Sequence, residues 1–419
     1  MFYKPNRKIA LVPAMILCCA VFASCAQTNN SAGNSPAATA DNSQASAAAN
    51  GAASGTFKIG GTGPLTGAAA IYGTAANNGA KIAVDEINAL GGIQFELNYQ
   101  DDEHDAEKAV NAYNALKDWG MQIFLGSVTS TPGVATSAES NKDHIFFLTP
   151  SASSTDVLGG VADPLTNTVS VPRKDNVFQM CFDDPNQGLA SAQYISDKQL
   201  ATKVAVIYKN DDVYSIGIYN SFKVKAQALG LNIVSETTFT ESSQNDFNVQ
   251  LTEAKNAGAD LIFLPMYYTP ASLIMTQAKA MGYAPKFFGV DGMDGILTMD
   301  GFDKSLAEGV MLLTPFNADA TDDKTVSFVK KYNDQYGEIP NQFAADGYDC
   351  VYAYYQALQQ AGCTADMTAS QICDKLIPLF TGGFTFDGLT GTGMKWDNTG
   401  AVTKSPKGMV IQNGGYVGM

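Results

Sequence analysis

The 419-residue chain has only two histidines, His104 and His144, and they lie far apart in the sequence. This scarcity argues against a histidine-rich metal centre and against most catalysis by a histidine general base. The seven cysteines include no Cys-x-x-Cys pair, which argues against zinc ribbons and thioredoxin-like redox motifs. Basic residues are also few, 26 against 41 acidic residues, and the formal net charge of −15 disfavours nonspecific binding to nucleic acid.

Familiar catalytic motifs are missing as well. The sequence has no Gly-x-Ser-x-Gly elbow, no phosphate-binding loop that ends in Gly-Lys-Ser or Gly-Lys-Thr, and no His-Glu-x-x-His. A glycine-rich loop at residues 61–67 resembles a dinucleotide-binding loop, but its third glycine comes one place late and Pro64 stiffens the turn. The alternative is a loop that lets a strand and a helix pack closely. We therefore expect no enzymatic activity, no cofactor and no metal site.

The N-terminal residues have the layout of a secretory signal peptide. Residues 4–8 contain three basic side chains, residues 9–22 carry no charge, and Ala23-Ser24-Cys25 follows. The uncharged run is short for a membrane span, which needs ~20 residues. A cysteine directly after two small residues resembles the lipobox of bacterial lipoproteins, which implies that residues 1–24 are removed and that Cys25 carries a lipid. A plain signal peptide with an incidental cysteine is the alternative.

The next segment, residues 25–55, is predicted to be a flexible linker. Beyond Cys25 it consists of Ala, Ser, Asn, Gln, Thr, Gly and one Pro, with Asp41 as its single charge, and it cannot form a core. A coil of this length spans roughly 30 Å between its ends. We therefore expect a folded body, residues 56–419, tethered by a lipid to the extracytoplasmic face of the membrane.

Strand-like apolar runs alternate with helix-like segments throughout the folded body. This alternation predicts an α/β fold with parallel, doubly wound sheets. The pattern restarts at residues 203–208, after the segment 167–173, so we expect two lobes with a hinge near Pro172 and a second crossing near residues 313–316. The predicted parts are 56–172 (first part of lobe 1), 173–313 (lobe 2), 314–381 (second part of lobe 1) and 382–419 (C-terminal strands, mostly in lobe 2).

Two loops rich in hydroxyl groups follow successive strand-like runs of lobe 1. Ser130 lies in a Thr-Ser-Thr-Pro sequence in which Pro132 suits the first turn of a helix. A helix N terminus attracts a carboxylate, although a cap satisfied by its own side chains is the alternative. Residues 150–154 follow the next run, at the edge where open α/β sheets bind ligands, although an ordinary serine-rich turn is the alternative. This second loop contains Ser151, Ala152 and Ser153.

Aromatic side chains and a carboxylate follow three strand-like runs of lobe 2. Tyr214 comes after the first run, Tyr267 and Tyr268 after the second, and Asp291 after the third. An aromatic wall with one acid suits an ammonium group beside an apolar side chain. The alternatives are that the tyrosines are core residues and that Asp291 is a turn residue before Gly292.

Together these motifs resemble the substrate-binding lipoproteins of branched-chain amino-acid ABC transporters, the Leu/Ile/Val-binding type of the type I periplasmic-binding fold. The resemblance covers nearly all of residues 56–419. It is carried by Gly-Pro-Leu-Thr-Gly at 63–67, Ile-Tyr-Gly at 71–73, Asp-Glu-Ile-Asn at 85–88, Pro-Ser-Ala-Ser at 150–153 and Asp-Asp-Val-Tyr at 211–214. It implies a monomeric protein that captures an amino acid between two lobes and delivers it to the permease and ATPase subunits of an ABC transporter.

The resemblance also implies roles for residues of lobe 1. Ser130 would bind the α-carboxylate of the ligand, and Ser151 and Ala152 would contact its backbone groups. Ser153, where the family usually has Thr, would contact both the carboxylate and the ammonium group. Tyr72 would border the pocket for the ligand side chain.

In lobe 2 the same resemblance implies that Tyr214 and Tyr268 close over the ligand. Asp291 would pair with the ligand's ammonium group. The family usually has Glu at this position, so the acid here is shorter by one methylene.

Three other interpretations stay open at this point. The chain could be a ligand-sensing module that a receptor recognises, an exported oxidoreductase with a bound cofactor, or a binder of a short amide or an aromatic acid.

Export also permits disulfides among the four cysteines of the folded body. Cys363 and Cys373 flank a turn-like sequence and are the preferred pair, and four free buried thiols are the alternative.

Overall fold

The computed structural model describes residues 55–419. The predicted signal peptide at 1–24, the predicted lipidation site Cys25 and all of the predicted linker except Gly55 lie outside the described residues. Within 55–419, no helix combines the length and the apolar character that a membrane crossing requires.

Strands and helices alternate along most of the folded body, as the sequence pattern predicts. The strands are β1 (Gly55–Gly63), β2 (Ile93–Asp101), β3 (Ile123–Leu125), β4 (Phe147–Thr149), β5 (Val177–Gln179), β6 (Val204–Lys209), β7 (Ile233–Phe239), β8 (Leu261–Leu264), β9 (Lys286–Gly289), β10 (Met311–Thr314), β11 (Thr385–Phe386), β12 (Met394–Lys395), β13 (Lys407–Gln412) and β14 (Gly415–Gly418). The helices are α1 (Ala70–Leu90), α2 (Ala106–Trp119), α3 (Ser130–Asp143), α4 (Thr155–Leu158), α5 (Asp184–Asp197), α6 (Val213–Leu229), α7 (Asn248–Ala257), α8 (Tyr268–Ala280), α9 (Asp323–Tyr336), α10 (Gln342–Gln360) and α11 (Ala369–Thr381).

Two sheets organise these elements. The first has five parallel strands in the order β2-β1-β3-β4-β5, and the second has seven strands in the order β14-β13-β10-β9-β8-β6-β7. In the second sheet β6 to β10 are parallel, whereas β13 pairs antiparallel with β10 and with β14. We call lobe 1 the first sheet with α1–α4 and α9–α11, and lobe 2 the second sheet with α5–α8. The predicted α/β fold with two doubly wound parallel sheets is confirmed.

Helices α1 and α10 of lobe 1 pack unusually closely because glycines lie at their contact. A Cβ atom at Gly79 would lie 1.8 Å from the carbonyl oxygen of Ala344, and one at Gly347 would lie 2.2 Å from that of Ala76. Any larger residue at either position would force the helices apart. This packing fixes the N-terminal turn of α10 beside α1, where both helices reach the gap between the lobes.

Three segments connect the two sheets: residues 180–183 after β5, residues 315–322 after β10 and residues 396–406 before β13. Pro172, our candidate for the hinge, lies before β5, and β5 pairs with β4 in the first sheet. The predicted hinge, and with it the boundary between residues 172 and 173, therefore falls too early in the chain. The reason is that Gln179 breaks the apolar run of β5 and its burial depends on hydrogen bonds to the distant loop after β4, whereas the equally short β3 and β4 lie in unbroken apolar runs.

The predicted disulfide between Cys363 and Cys373 is not formed: both are free thiols, as are Cys181 and Cys350. Cys363 follows the end of α10, Cys373 lies on the buried face of α11, and both side chains pack in the apolar core. Burial raises the pKa of the Cys373 thiol to about 12, which suppresses the thiolate that disulfide formation requires. The structure therefore supports the alternative of four free buried thiols.

Candidate functional site

A cleft lies between the lobes, where the carboxyl ends of the parallel strands of both sheets face each other. Its lining residues come from both lobes: Tyr72, Val128, Thr129, Ser130, Ser151, Tyr214, Tyr267, Asp291, Gly292 and Phe343. Five residues that we predicted from the sequence are thus brought together, namely Tyr72, Ser130, Ser151, Tyr214 and Asp291. The other three, Ala152, Ser153 and Tyr268, do not line the cleft.

The wall from lobe 1 presents a helix N terminus without a side-chain cap. Helix α3 begins at Ser130, and the N-cap residue Thr129 makes no capping hydrogen bond to it. The Thr129 hydroxyl is instead 2.8 Å from Nδ1 of His104. Because no side chain in the described chain caps α3, its first N–H groups keep their partial positive charge. This geometry favours an anion-binding site over the alternative of a self-satisfied cap.

Ser130 adds a hydroxyl group to this wall. Its Oγ accepts a hydrogen bond from the backbone N–H of Ser154 at 3.1 Å, which leaves the hydroxyl proton free to donate. The helix N terminus and this hydroxyl are both hydrogen-bond donors, and no Lys or Arg of residues 55–419 lines the cleft. A carboxylate here would therefore be held by N–H and O–H groups rather than by a full positive charge.

The loop after β4 supports the cleft more than it lines it. Ser151 borders the cleft and donates from Oγ to the carbonyl oxygen of Val128 at 2.6 Å. The backbone N–H of Ala152 donates to Oγ1 of Thr149 at 2.9 Å, so it is already occupied. The Ser153 hydroxyl accepts a hydrogen bond from the side-chain amide of Gln187 at 3.4 Å. Ala152 and Ser153 hold the loop in place behind the cleft surface.

The wall from lobe 2 is built around Asp291, which is 3% exposed. The Tyr214 hydroxyl donates to Oδ1 of Asp291 at 2.5 Å and accepts from the backbone N–H of Gly292 at 2.9 Å. The backbone of Asp291 is fixed as well, because its N–H donates to the side-chain oxygen of Gln187 at 3.1 Å. Burial raises the pKa of Asp291 to about 6, although the hydrogen bond from Tyr214 acts in the opposite direction.

Tyrosine rings complete the wall. Tyr214 and Tyr267 stack with their ring centroids 4.6 Å apart and their planes 3° apart. Tyr267 is the N-cap residue of α8 and lines the cleft, whereas Tyr268, the first residue of the helix, lies behind Tyr72 at a centroid distance of 5.0 Å. The tyrosine that faces the cleft is therefore Tyr267, one residue before the predicted one.

Tyr72 joins the two lobes. Its hydroxyl donates to the carbonyl oxygen of Gly292 at 2.5 Å and accepts from the backbone N–H of Tyr268 at 3.0 Å. Its ring lies 4.6 Å from that of Phe343 at the start of α10. The space between the cleft side chains is only about 10 Å³, roughly what one water molecule needs. A larger molecule can enter only when the lobes separate and the bond between Tyr72 and Gly292 breaks.

The sequence analysis missed Phe343, which lines the cleft, and two buried residues beside it, Gln187 and Asp184. Gln187 and Asp184 lie on the first turn of α5, directly after the first crossing, and Phe343 lies on α10. Asp184 is 1% exposed, and neither of its carboxylate oxygens has a hydrogen-bond partner in the described part of the protein. Burial raises the pKa of Asp184, and nearby Asp291 raises it further. No strand pattern pointed to this segment, because it follows β5, whose apolar run is broken at Gln179.

The arrangement can bind a polar molecule but offers little for chemistry. Hydrogen-bond donors lie on the wall of lobe 1, and one carboxylate, Asp291, and aromatic rings lie on the wall of lobe 2. Within residues 55–419 no group of His, Cys, Asp and Glu side chains is placed to hold a metal ion. One wall can therefore bind a negatively charged group and the other a positively charged group, as a dipolar ligand requires.

Residues 56–412 match the family described as periplasmic binding protein. The Leu/Ile/Val-binding protein homolog 3 of Brucella melitensis is 28% identical over 238 residues, which cover 56% of this chain and 61% of that protein. The chain thus spans about three fifths of that relative. The leucine-, isoleucine-, valine-, threonine- and alanine-binding protein of Pseudomonas aeruginosa is 24% identical over 310 residues, 73% of this chain and 79% of that protein.

Solved structures agree on the fold. The leucine-binding protein LivK of Thermotoga maritima has a TM-score of 0.75 and 26% identity, covering 87% of this chain and 97% of its own. A second structure is the branched-chain amino acid transporter substrate-binding protein LivJ of Streptococcus pneumoniae in complex with isoleucine. It has a TM-score of 0.74 and 28% identity, and the match covers 87% of this chain and 100% of that chain. A solute-binding protein from R. palustris in complex with benzoate has a TM-score of 0.74 at 18% identity, and the match covers 87% of this chain and 96% of that chain. At this identity the similarity shows only that the two proteins share a fold. The family match spans most of the chain, so this protein belongs to the periplasmic binding protein family, whose members bind solutes rather than catalyse reactions.

Proposed function

We propose that the protein captures an amino acid with an apolar side chain between its lobes and delivers it to an ABC permease. The observation that carries this proposal is the pairing of two walls across one cleft. The uncapped N terminus of α3 with Ser130 faces a buried carboxylate, Asp291, whose side chain is bonded to Tyr214. An α-amino acid carries a carboxylate and an ammonium group on the same carbon, so it can satisfy both walls at once.

In this proposal each lobe binds one charge of the ligand. Lobe 1 holds the carboxylate with the N–H groups of α3 and the hydroxyl of Ser130. Lobe 2 pairs the ammonium group with Asp291, because a buried cation requires a nearby anion. The ligand side chain packs against the rings of Tyr72, Tyr267 and Phe343, which favours an apolar one. Closure of the lobes excludes water and strengthens the polar contacts.

The ligand class is tested by a thermal-shift screen of the purified protein against the proteinogenic amino acids, short amides and aromatic acids. At 100 times its Kd a ligand adds about 2.7 kcal/mol to the free energy of unfolding, which raises the melting temperature measurably. Apolar amino acids are expected to stabilise the protein most. Stabilisation by no amino acid would contradict the proposal, and stabilisation by an aromatic acid alone would favour that alternative.

The relatives support the transport role, since the named Pseudomonas and Streptococcus proteins bind branched-chain or similar amino acids. A sensing role uses the same cleft, so the binding site alone does not separate the two. Uptake of labelled ligand by cells that lack this protein is the discriminating measurement. Uptake should fall in the deletion strain and return with the intact gene; unchanged uptake would favour sensing.

We also propose that the protein is a lipoprotein on the extracytoplasmic face of the membrane, monomeric in solution, with a lipid on Cys25. The support is the basic, uncharged and small-residue order of the first 25 residues, followed by a linker rich in small polar residues. The Cys25→Ala variant is expected to leave the membrane fraction. Persistence of this variant in the membrane at the level of the parent would contradict the lipid anchor, without bearing on the cleft.

A further inference from the structure

The α4–β5 loop, residues 159–176, is built on lobe 1 and reaches lobe 2 outside the three crossings. Lys174 anchors the base of the loop, because its Nζ group is buried and donates to the carbonyl oxygen of Asp156 at 2.7 Å. The backbone N–H of Gly160 donates to the carbonyl oxygen of Val171 at 2.7 Å and closes the loop. These contacts lie within lobe 1, so the loop stays with lobe 1 when the lobes separate.

Asp163 orders the tip of this loop through one of its two carboxylate oxygens. Oδ1 accepts hydrogen bonds from the backbone N–H groups of Leu165 and Thr166 at 3.0 and 2.8 Å, and from the Thr166 hydroxyl at 3.1 Å. The backbone N–H of Asn167 donates to the carbonyl oxygen of Asp163 at 2.8 Å. The tip is therefore a turn that the loop residues hold by themselves, and it fixes the direction of the second carboxylate oxygen.

The second oxygen of Asp163 bonds across to lobe 2. The side-chain amide of Asn220, on α6, donates to Oδ2 of Asp163 at 2.6 Å. Burial acts to raise the pKa of Asp163, but hydrogen bonds from Thr166 and Asn220 outweigh it and hold the pKa below its usual value. The carboxylate is thus ionised at neutral pH, and the bond from Asn220 is charge-assisted.

Asn220 lies on the same helix as a residue of the cleft. Tyr214, which lines the cleft, lies about 9 Å earlier along the axis of α6. Ile218 and Phe222 hold this helix in lobe 2, because their side chains are buried in its apolar core. Since Asp163 is fixed to lobe 1 and Asn220 to lobe 2, their hydrogen bond breaks when the lobes separate and forms when they close.

We propose that the α4–β5 loop stabilises the closed form of the protein through the hydrogen bond between Asp163 on lobe 1 and Asn220 on lobe 2. Neither residue lines the cleft, so the loop regulates how tightly a ligand is held without selecting the ligand. The proposal rests on the proposed function only in that a ligand enters when the lobes separate.

The test exchanges the two side chains of this pair. Asn220→Asp places a second carboxylate against Asp163 and should favour the open form. Asp163→Asn combined with Asn220→Asp should restore the bond with its direction reversed and leaves the net charge of the parent unchanged. In this double variant the amide nitrogen at position 163 can donate to the carboxylate at position 220, while the amide oxygen still orders the turn.

Pulsed electron paramagnetic resonance measures the fraction of closed molecules in the purified full chain in detergent, without ligand and with the best amino acid from the screen. Spin labels are attached at Leu90→Cys and Ala280→Cys, two exposed positions at the ends of α1 in lobe 1 and α8 in lobe 2. Asn220→Asp should lower the ratio of closed to open molecules about three- to tenfold, a modest change because solvent screens a partly exposed pair. The double variant should return this ratio to the parental value.

Asn248→Asp is the matched control. The side-chain amide of Asn248 donates to Oδ1 of Asp246 at 2.7 Å, so this substitution also sets two carboxylates against each other. Both residues lie at the start of α7 in lobe 2, and their bond does not cross between the lobes. Asn248→Asp should therefore leave the ratio of closed to open molecules unchanged.

An unchanged ratio in Asn220→Asp would overturn the proposal, and so would a double variant that stays as open as Asn220→Asp or a parent with no closed molecules in either condition. None of these results would refute the amino-acid ligand, because calorimetry measures its binding separately. If the screen returns no ligand, the ligand-free distance distributions still test the loop. Asn220→Ala removes the donor without adding a charge; it should shift the ratio in the same direction by a smaller factor and keeps the test decisive if Asn220→Asp does not fold.

Discussion

Replacing Asp291 by Asn removes one negative charge from the cleft and changes its shape very little. In the parent, the carboxylate is 3% exposed and faces the position proposed for the ligand's ammonium group. In the variant that ammonium group would be desolvated without a counter-ion. Breaking a buried ion pair by removing one partner costs ~3–5 kcal/mol, which weakens binding by more than about 100-fold. Asp291→Ala should weaken binding to a similar extent.

The pH dependence of binding has a definite sign. The pKa of Asp291 is raised to about 6, so the carboxyl group of the ligand-free protein is protonated below that pH. Binding an ammonium group then requires release of this proton. Affinity should therefore fall as the pH drops below about 6, approaching a tenfold loss per pH unit. Asp291→Asn should show no such dependence.

The same pKa shift predicts the effect on stability. Because the pKa of Asp291 is higher in the folded than in the unfolded protein, the stabilising contribution is present at low pH and is lost as the pH rises from about 4 to about 6. At pH 7 the parent holds a buried charge that Asn does not carry. The ligand-free Asp291→Asn variant should thus be at least as stable as the parent, and weak binding cannot be ascribed to unfolding.

Calorimetry at pH 7.5 and pH 5.0, with the best amino acid from the screen, measures these effects. Asp291→Glu is the control, because it keeps the charge and introduces the acid that the family usually has; it should bind more tightly than Asp291→Asn. Binding of Asp291→Asn at parental strength would refute the reasoning. The ligand would then carry no ammonium group, and a neutral or acidic ligand would replace the amino acid.

Three further predictions concern other parts of the molecule. Ser130→Ala should weaken binding by only about 1–2 kcal/mol, because the N–H groups of α3 still hold the carboxylate. Calorimetry should give this variant an affinity between those of the parent and of Asp291→Asn. A larger loss of affinity than in Asp291→Asn would contradict this ranking. Tyr72→Phe removes the hydrogen bond to Gly292 that joins the lobes, so the lobes of the ligand-free protein should separate. Small-angle X-ray scattering should then measure a larger radius of gyration, and an unchanged radius would contradict this prediction. Thiol titration of denatured protein without reductant should find all four cysteines of the folded body reactive, and two or fewer would indicate a disulfide.

Much of the fold and part of the cleft could be predicted from the sequence, because parallel strands have a simple geometry. Apolar runs that alternate with helical segments leave few arrangements other than wound sheets. In such sheets all carboxyl ends lie on one edge, so residues directly after the runs must cluster there. This reasoning placed Ser130 and Ser151 at the edge of one sheet and Tyr214 and Asp291 at the edge of another. The resemblance to branched-chain amino-acid binding proteins implied that the two edges form one site.

Other features depended on contacts that no local pattern encodes. The first crossing was misplaced because Gln179 breaks the apolar run of β5, and Asp184 and Gln187 were missed with it. Which of two adjacent tyrosines faces the cleft depends on where α8 begins: Tyr267 is still extended, with φ −73° and ψ 161°, and Tyr268 is already helical. Successive residues of a helix point about 100° apart, so a shift of one residue in where α8 begins decides which tyrosine faces the cleft. Sequence patterns locate helix ends less accurately than that.

Local patterns along the chain were enough to predict the class of fold and the sheet edges at which polar residues gather, and to exclude familiar catalytic motifs. By contrast, contacts between distant segments keep Cys363 and Cys373 apart as thiols and allow Tyr72 to hydrogen-bond across to Gly292. The two groups of features differ in the distance along the chain over which their causes act. Periodicity and turn residues act over a few positions along the chain, whereas these features arise where segments distant in sequence pack together and bury polar groups.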